Sequence, residues 1–240
     1  RFVTENAQIQ EFKIENKEND TKVAIIGGGP LVLAAAYYLS INGIYCEIFE
    51  KSDKLGGMTS KALPLFRLPD RQIEIDVKTI EKLVAKVNYG VEVDFEKFSR
   101  LTSQFSYVVI GAGAQKSLNM QIKGYQSQGV WQSMDFFFAT RQNQKIDLGQ
   151  NVAVIGGGNT AMDAARIAKR LISNTGKVTI LYRRTRELMP ANYEEIQEAI
   201  EEGIEIIELV EPIEFVAEQN KLKSIRMYRT MLKKQENSKR

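Results

Sequence analysis

The same pattern of residues occurs twice in this chain and constrains its fold more than any other feature. Residues 22–51 read KVAIIGGGPLVLAAAYYLSINGIYCEIFEK, and residues 151–184 read NVAVIGGGNTAMDAARIAKRLISNTGKVTILYRR. Each copy has an apolar run, three glycines, apolar residues at helical spacing and a second apolar run. This order predicts strand, turn, helix and strand in an α/β protein with parallel sheets. Two copies predict two such domains.

The turn of the later copy has the spacing of a dinucleotide-binding fingerprint, G-x-G-x-x-A. The first glycine permits a tight turn, the second lets the backbone approach a pyrophosphate, and the alanine keeps the helix close to its strand. The amino end of the helix then faces the phosphates. We expect the strand at 152–155 to be buried on both faces. The predicted contact residues are Gly156, Gly157, Gly158, Asn159, Thr160 and Ala161.

The residues that follow the second strand differ in charge between the two copies. Arg183 and Arg184 end the later copy, and two guanidinium groups suit the 2′-phosphate of NADP. The alternative is an ordinary solvated arginine pair. Glu50 ends the earlier copy, roughly twenty residues after its glycines, where a carboxylate accepts from an adenosine ribose. Opposite charges at equivalent positions predict two different dinucleotides.

The third fingerprint position of the earlier copy is Val32, where glycine or alanine is expected. This side chain packs the helix against its strand, and overpacking typically costs about 1–3 kcal/mol. We therefore expect a displaced helix, a smaller neighbour opposite Val32, or weak dinucleotide binding.

The segments between the two copies give weaker predictions. The paired glycines Gly56 and Gly57 indicate either a loop close to a pyrophosphate or a plain turn. The run PLFRLP at 64–69 predicts a rigid, extended segment, and 90–93 predicts a short strand. Residues 105–113 (FSYVVIGAG) predict a buried strand that ends in small residues, where backbone can approach a ligand.

Further predictions concern individual side chains, in the cores of the two domains and at the start of one helix. We expect Trp131 and the three phenylalanines at 136–138 to be packed in a core. Asn192 is expected to cap a helix at 193–202, with Glu195 at its third position. Cys46 lies in a predicted strand and is expected to be buried and inert.

Composition excludes several classes of function. The chain has 240 residues, enough for two modest domains, with 33 basic and 30 acidic residues and a net charge of +3. The scattered charge predicts no nucleic-acid partner, and no apolar run approaches the ~20 residues of a membrane span. The chain has no histidine and one cysteine, which excludes an imidazole base and an iron–sulfur cluster bound by this chain alone. Redox chemistry would belong to bound cofactors, and we expect a cytoplasmic protein.

Seven segments together resemble one family, the flavoprotein small subunit of glutamate synthase and its relatives. These relatives include the flavin and nicotinamide domains of dihydropyrimidine dehydrogenase, and the nearest resemblance is to flavoprotein subunits assigned to selenate reductases. The segments are KVAIIGGGP, EIFEKSDKLGGM, LFRLP, YVVIGAGAQKS, GVWQSMDFF, NVAVIGGGNTAMDAAR and YRRTRELMPA.

The resemblance implies two Rossmann-like domains of the glutathione-reductase type, with the FAD domain incomplete here because the family's returning FAD segment is missing. Residues 1–20 are expected to be a helix end and linker, followed by part of the FAD domain over 21–144, the NADP domain over 145–235 and a polar tail over 236–240. By position, Glu50 would take the adenosine ribose and Val93 the adenine side. The implied FAD contacts are Gly27, Gly28, Gly29, Pro30, Glu50, Lys51, Gly56, Gly57, Met58, Val93, Ala112 and Gly113.

The resemblance also implies an activity, hydride transfer from NADPH to FAD. Electrons would then leave through 4Fe-4S clusters, expected outside this chain, to an electron-accepting partner subunit or domain. No side chain of this chain is expected to be catalytic and none to bind a metal, because the cofactors carry the chemistry. Two alternatives are a non-enzymatic NADP-binding module with a degenerate flavin site, and an NADPH–ferredoxin reductase.

Overall fold

The computed structural model describes residues 20–115 and 120–232. The chain divides into two compact units, Arg1–Gln115 and Lys116–Arg240. The domain boundaries expected from the sequence stay predictions. The linker expected over 1–20, apart from residue 20, and the tail expected over 236–240 lie outside the described residues.

The first unit is built on a parallel sheet with the strand order β3-β2-β1-β4. Helix α1 follows β1, and its packing against β1 and β2 forms the core, in which Ile25, Val32 and Ile48 are fully buried. Proline suits the first helical position of α1, where its missing N–H costs nothing. The strands are β1 Lys22–Ile26, β2 Tyr45–Phe49, β3 Lys86–Asn88 and β4 Tyr107–Ile110, and the helices are α1 Pro30–Ile41, α2 Met58–Lys61, α3 Asp70–Leu83 and α4 Phe95–Gln104.

The second unit has a parallel sheet with the order β5-β6-β7 and a separate antiparallel hairpin of β8 and β9. Helix α6 packs on β5, β6 and α7. The strands are β5 Asn151–Ile155, β6 Lys177–Tyr182, β7 Glu205–Glu208, β8 Val210–Glu218 and β9 Lys221–Arg229, and the helices are α5 Ser133–Arg141, α6 Asn159–Leu171, α7 Tyr193–Glu201 and the 3₁₀ turn Arg186–Leu188.

Two strands predicted to be buried lie at sheet edges instead. In β4, Tyr107 is 66% and Ile110 60% exposed, and no residue of β5 is fully buried. Within the described residues each of these strands pairs with one neighbour only, which leaves the other edge uncovered. The prediction of burial was therefore wrong, although both strands form where the sequence places them.

Two loop predictions were also wrong. Residues 64–69 are not extended, because the Pro64 carbonyl accepts from the amides of Arg67 (3.0 Å) and Leu68 (3.2 Å) and closes a turn. Proline fixes φ at a value that suits a turn as well as an extended segment. The strand expected at 90–93 is a loop that follows β3, and Gly90 begins it with φ +68°.

The predictions for individual side chains are confirmed only in part. Phe136 and Phe137 are buried, but Trp131 is 43% exposed and contacts Phe136 only edge to face. Asn192 stands at the start of α7 without a side-chain capping bond. The Glu195 side chain, which would return to the Asn192 amide in a capping box, binds Arg166 at 3.3 Å. The predicted capping box is therefore absent.

The burial of Cys46 is confirmed. Its side chain is 1% exposed, and burial raises the pKa of the thiol despite a 3.4 Å hydrogen bond with the Ser40 hydroxyl. A neutral, enclosed thiol reacts slowly.

Candidate dinucleotide-binding sites

The first glycine turn lies at the carboxyl end of β1, between the ends of β2 and β4. The Gly27 amide donates to the Phe49 carbonyl at 2.8 Å, and the Gly111 amide donates to the Ile26 carbonyl at 2.8 Å. Gly27 has φ +108°, and a β-carbon there would overlap the carbonyl oxygen of Gly111. Glycine is therefore required at this position by both conformation and space. The β1–β4 side is where the chain changes direction across the sheet, the usual place for a ligand crevice.

The second pair of glycines closes against this turn. The Gly56 amide donates to the Gly28 carbonyl at 2.7 Å, and a β-carbon on Gly57 would lie 2.6 Å from the Cα of Gly29. Residues from two separate motifs thus meet in a single loop cluster. This packing favours a loop that runs along the first glycine turn over an isolated turn at Gly56 and Gly57.

Glu50 is buried beside the same turn, with 5% of its surface exposed. Its Oε1 accepts from the Ser52 amide at 2.9 Å and from the Ser52 hydroxyl, and the Lys61 ammonium lies 3.7 Å away. A β-carbon on Gly28 would stand 2.7 Å from Oε2 of Glu50. Only a glycine turn allows the carboxylate this position next to the predicted pyrophosphate site.

The buried Val32 has a smaller neighbour opposite. A β-carbon on Gly111 would lie 2.5 Å from the Cγ2 of Val32 and 3.0 Å from the Leu31 side chain. Because Gly111 has no side chain, Val32 fits with no exposed surface. The structure therefore contains the smaller neighbour opposite Val32 that was one of the three expected outcomes.

The other residues proposed for this site lie at the start of α2 or in the loops that follow β2, β3 and β4. The loop at 91–94 joins the end of β2, since the Val91 amide donates to the Glu50 carbonyl at 2.9 Å. Val93 and Met58 are half-buried, whereas Lys51, Ala112 and Gly113 are exposed. Their contacts with a cofactor stay predictions.

The second glycine turn follows β5. The Gly156 amide donates to the Leu181 carbonyl at 3.1 Å, and Gly156 has φ +137°. A β-carbon on Gly156 would lie 3.4 Å from that of Ala161, and one on Gly157 would lie 2.5 Å from the Tyr182 ring. The small residues of the fingerprint thus let the helix and β6 approach the turn closely.

The two turns share a feature that favours an anion. Gly29 and Gly158 are the N-cap residues of α1 and α6, and neither provides a capping side chain. Neither helix has an acidic residue in its first turn. All other helices of nine or more residues within 20–115 and 120–232 carry an acidic residue in the first turn. The amino ends of α1 and α6 therefore keep their positive partial charge and free amides for a phosphate.

A segment that the fingerprint does not include is bonded to the second turn. The Ala191 amide donates to the Gly157 carbonyl at 3.0 Å, and the Asn192 amide donates to Oδ1 of Asn159 at 2.9 Å. The Tyr182 hydroxyl donates to the Leu188 carbonyl at 2.8 Å. Asn159, proposed as a cofactor contact, thus holds the chain's own backbone through its oxygen. Thr160 is the next residue of α6 and is exposed.

The arginines predicted for the 2′-phosphate follow β6 at the same sheet edge as the second turn. Both are exposed, and Arg183 lies 3.9 Å from Oε1 of Glu211. Arg184 forms no ion pair with any residue in the described part of the chain. Sequence reasoning missed a third arginine, Arg186, which lies 3.3 Å from Glu208. It lies beyond the motif, in the 3₁₀ turn Arg186–Leu188, and no spacing rule in the sequence indicates it.

These two α/β units, each with a glycine turn at the carboxyl edge of a parallel sheet, define the class of Rossmann-like dinucleotide-binding proteins. The chain belongs to the pyridine nucleotide-disulphide oxidoreductase family, whose model matches residues 21–237. This is a family of FAD- and NADPH-binding oxidoreductases, which confirms the predicted fold, enzyme class and cofactors at the level of the family.

Two curated relatives confirm the resemblance to glutamate synthase small subunits and their kin. The chain is 32% identical over 232 residues to the glutamate synthase [NADPH] small chain of Escherichia coli strain K12, covering 89% of this chain and 48% of that one. It is 32% identical over 213 residues to the NADPH-Fe(3+) oxidoreductase subunit beta of Geobacter sulfurreducens, covering 85% of this chain and 31% of that one. The chain thus spans less than half of either relative. The finer resemblance to selenate reductase subunits stays a prediction.

A solved structure with the same fold is Mycobacterium tuberculosis FprA in complex with NADPH. The TM-score is 0.75 at 18% identity, with 88% of this chain and 64% of that chain covered. At this identity the likeness supports the fold alone.

Two kinds of feature are absent from the described residues. Over 20–115 and 120–232, no helix combines the length and the apolar character that crossing a membrane requires. The same residues contain no group of three or more cysteine, aspartate or glutamate side chains placed to hold a metal ion.

Proposed function

We propose that this chain is the electron-input module of a flavoprotein oxidoreductase, taking hydride from NADPH onto FAD and passing electrons onward. In this proposal the first unit binds FAD and the second binds NADPH. The onward route runs through iron–sulfur clusters of a partner subunit or domain, and we propose a cytoplasmic location.

One observation carries the proposal, the opposite charges beside two otherwise similar turns. In the first unit a buried carboxylate, Glu50, lies against the glycine turn. In the second, two exposed guanidinium groups, Arg183 and Arg184, follow the equivalent strand. A carboxylate accepts from ribose hydroxyls and repels a 2′-phosphate, while arginines bind that phosphate through charge-assisted hydrogen bonds. The two units therefore favour different dinucleotides.

The residues present fit both cofactors. The uncapped amino ends of α1 and α6 offer free amides to a pyrophosphate, and a β-carbon on Gly29 would meet no atom within 4 Å, which leaves open space before α1. In this assignment Gly27 and Gly156 shape the turns. Glu50 orients the adenosine ribose of FAD, and Arg183 with Arg184 holds the 2′-phosphate of NADPH.

When bound, the nicotinamide and flavin supply the hydride transfer themselves. The chain's share is to bind and orient the two dinucleotides, because positioning alone lowers the barrier of a transfer between bound partners. No residue beside either turn is required as an acid or base. The proposal is therefore independent of the lack of histidine.

The proposed partner is supported by the names of the relatives. One is the small chain of a glutamate synthase and another the beta subunit of an NADPH-Fe(3+) oxidoreductase, so both belong to larger assemblies. A module that receives electrons from NADPH needs an acceptor, and this chain alone has too few cysteines to ligate a cluster.

The test uses the full-length protein that contains this chain. We expect it to purify with a yellow flavin spectrum that NADPH bleaches under anaerobic conditions, faster than an equal concentration of NADH does. A colourless protein that stays unaffected by added FAD would contradict the assignment. Flavin that is present but not reduced by NADPH would instead support binding without the proposed transfer.

A further inference from the structure

Lys61 connects three parts of the first site. It ends helix α2, directly after the Gly56–Gly57 loop, and its ammonium donates to the Ser52 hydroxyl at 2.8 Å. The same nitrogen lies 3.7 Å from Oε1 of Glu50, and the two side chains are 23% and 7% exposed. A lysine at the end of α2 thus reaches the carboxylate that follows β2, and most of the surface of both side chains is removed from solvent.

The bonds in this cluster treat the two oxygens of Glu50 differently. Oε1 accepts from the amide of Ser52 at 2.9 Å and from its hydroxyl, and Lys61 donates to that hydroxyl in turn. Oε2 points to the other side, where a β-carbon on Gly28 would stand 2.7 Å away. One oxygen is therefore held by the protein, and the other faces the glycine turn.

A buried carboxylate needs a compensating cation or several donors, since burial in a medium of low polarity disfavours its charge. Within the described residues Lys61 is the only cation in ion-pair distance of Glu50. Lys51 and Lys54 stand close in sequence, but both are exposed and neither pairs with this carboxylate in the described part of the chain. Among these three lysines, only Lys61 is placed to compensate the charge of Glu50.

We propose that Lys61 is a positioning residue for dinucleotide binding. Acting through Ser52, it fixes Oε1 of Glu50 and so presents Oε2 to the adenosine ribose of FAD. This rests on the proposed function of the first unit. It adds to that function a residue from outside both glycine motifs.

A double-mutant cycle on FAD affinity tests this role, using the full-length protein stripped of flavin and titrated with FAD. We expect Lys61→Met to weaken FAD binding by about tenfold, and Lys61→Arg to recover most of that loss. In a Glu50→Gln background, Lys61→Met should change affinity by less than about twofold, because the group through which Lys61 acts is already altered. An equal loss in both backgrounds would overturn the proposal.

The thermal midpoint of the flavin-free protein is the second measurement, and it remains usable if Glu50→Gln binds FAD too weakly to titrate. Lys61→Met should lower the midpoint in the wild-type background and leave it nearly unchanged in the Glu50→Gln background. Equal drops would overturn the coupling.

The matched control is Lys54→Met, which removes the same charge from an exposed position of the loop between β2 and α2 and should leave FAD affinity unchanged. If Lys54→Met weakened binding as much as Lys61→Met, a general charge effect would replace the proposal. Titration of the wild-type protein with FAD tests the proposed function of the first unit independently of Lys61. Absence of FAD binding there would overturn both, whereas tight wild-type binding with an unaffected Lys61→Met variant would overturn only the role of Lys61.

Discussion

The two glycine turns solve the same packing problem with different neighbours. In the second unit, small Ala161 faces Gly156 within the fingerprint itself. In the first unit, Val32 occupies the equivalent position, and the space for it is left by Gly111, beyond the end of β4. A fingerprint position therefore cannot be judged alone, because a residue distant in sequence can supply the missing room.

The charged groups beside the turns differ in a second way. Glu50 is buried and fixed by Ser52 and Lys61, whereas Arg183 and Arg184 extend into solvent. A fixed carboxylate is organised before a ligand arrives, and exposed arginines must be ordered by it. Under the proposed function, this difference suits a first unit that retains its cofactor and a second unit that exchanges it.

The largest effect should come from removing both arginines. Because a hydrogen bond to a charged group contributes about 1.5–3 kcal/mol, Arg183→Ala with Arg184→Ala should weaken NADPH binding by about 100-fold or more. NADH binding should change by less than about threefold, as measured by titration of the full-length protein. Arg226→Ala, which removes an arginine paired with Glu214, is the matched control. Equal losses for NADPH and NADH would erase the proposed difference between the units.

A smaller effect should follow from filling the space opposite Val32. Gly111→Ala places a methyl group 2.5 Å from Val32 and should destabilise the first unit by about 1–3 kcal/mol. Cys46 is buried in this unit, so labelling of the peptide that contains it by a thiol reagent reports the loss of stability. Adding Val32→Ala should slow the labelling again. Unchanged labelling in Gly111→Ala would mean that the two residues do not constrain each other.

The smallest effect concerns the ion pairs that join α6 to α7 in the second unit. Burial raises the pKa of Glu202, but hydrogen bonds from Arg170 and Arg166 outweigh it and hold the pKa below the usual 4.5. The contribution of the ionised Glu202 to the free energy of unfolding is therefore complete above about pH 4.5. It is lost as the pH falls through the lowered pKa of the folded state. Glu202→Gln should cost about 1 kcal/mol at pH 7 and less than that at pH 3.

Trp131 lies in the second unit and is the only tryptophan of these 240 residues, so its fluorescence follows the unfolding of that unit. The matched control is Glu201→Gln, an exposed neighbour on the same helix for which the structure gives no ion pair among its described residues. The same loss of stability at pH 3 and pH 7 would contradict the ionic origin. The first unit, whose core around α1 is apolar, should not respond to either change.

Much of the fold could be predicted because it depends on local pattern. The second apolar run of the earlier copy forms β2, Tyr45–Phe49, and the helices after both turns begin within two residues of their glycines. Edge status could not be read in this way. The apolar runs of β4 and β5 look like those of central strands, and only the pairing of the sheet decides which side stays open.

The parts of the sites that sequence reasoning missed are non-local. Gly111 and Lys61 matter because the fold brings them to Val32 and Glu50, and no spacing rule links these positions. Asn192 was expected to cap its helix. In the structure its amide binds Asn159 and the predicted capping bond is absent, a choice that depends on where the second turn lies.

The dependence of Val32 on Gly111 has a consequence for protein engineering. Residues 22–51 look like a self-contained cassette that could be moved into another scaffold. Such a transplant would carry the valine but leave behind the glycine that makes room for it, so the grafted helix would sit too far from its strand. A working graft must bring the end of β4 as well, or replace the valine with alanine.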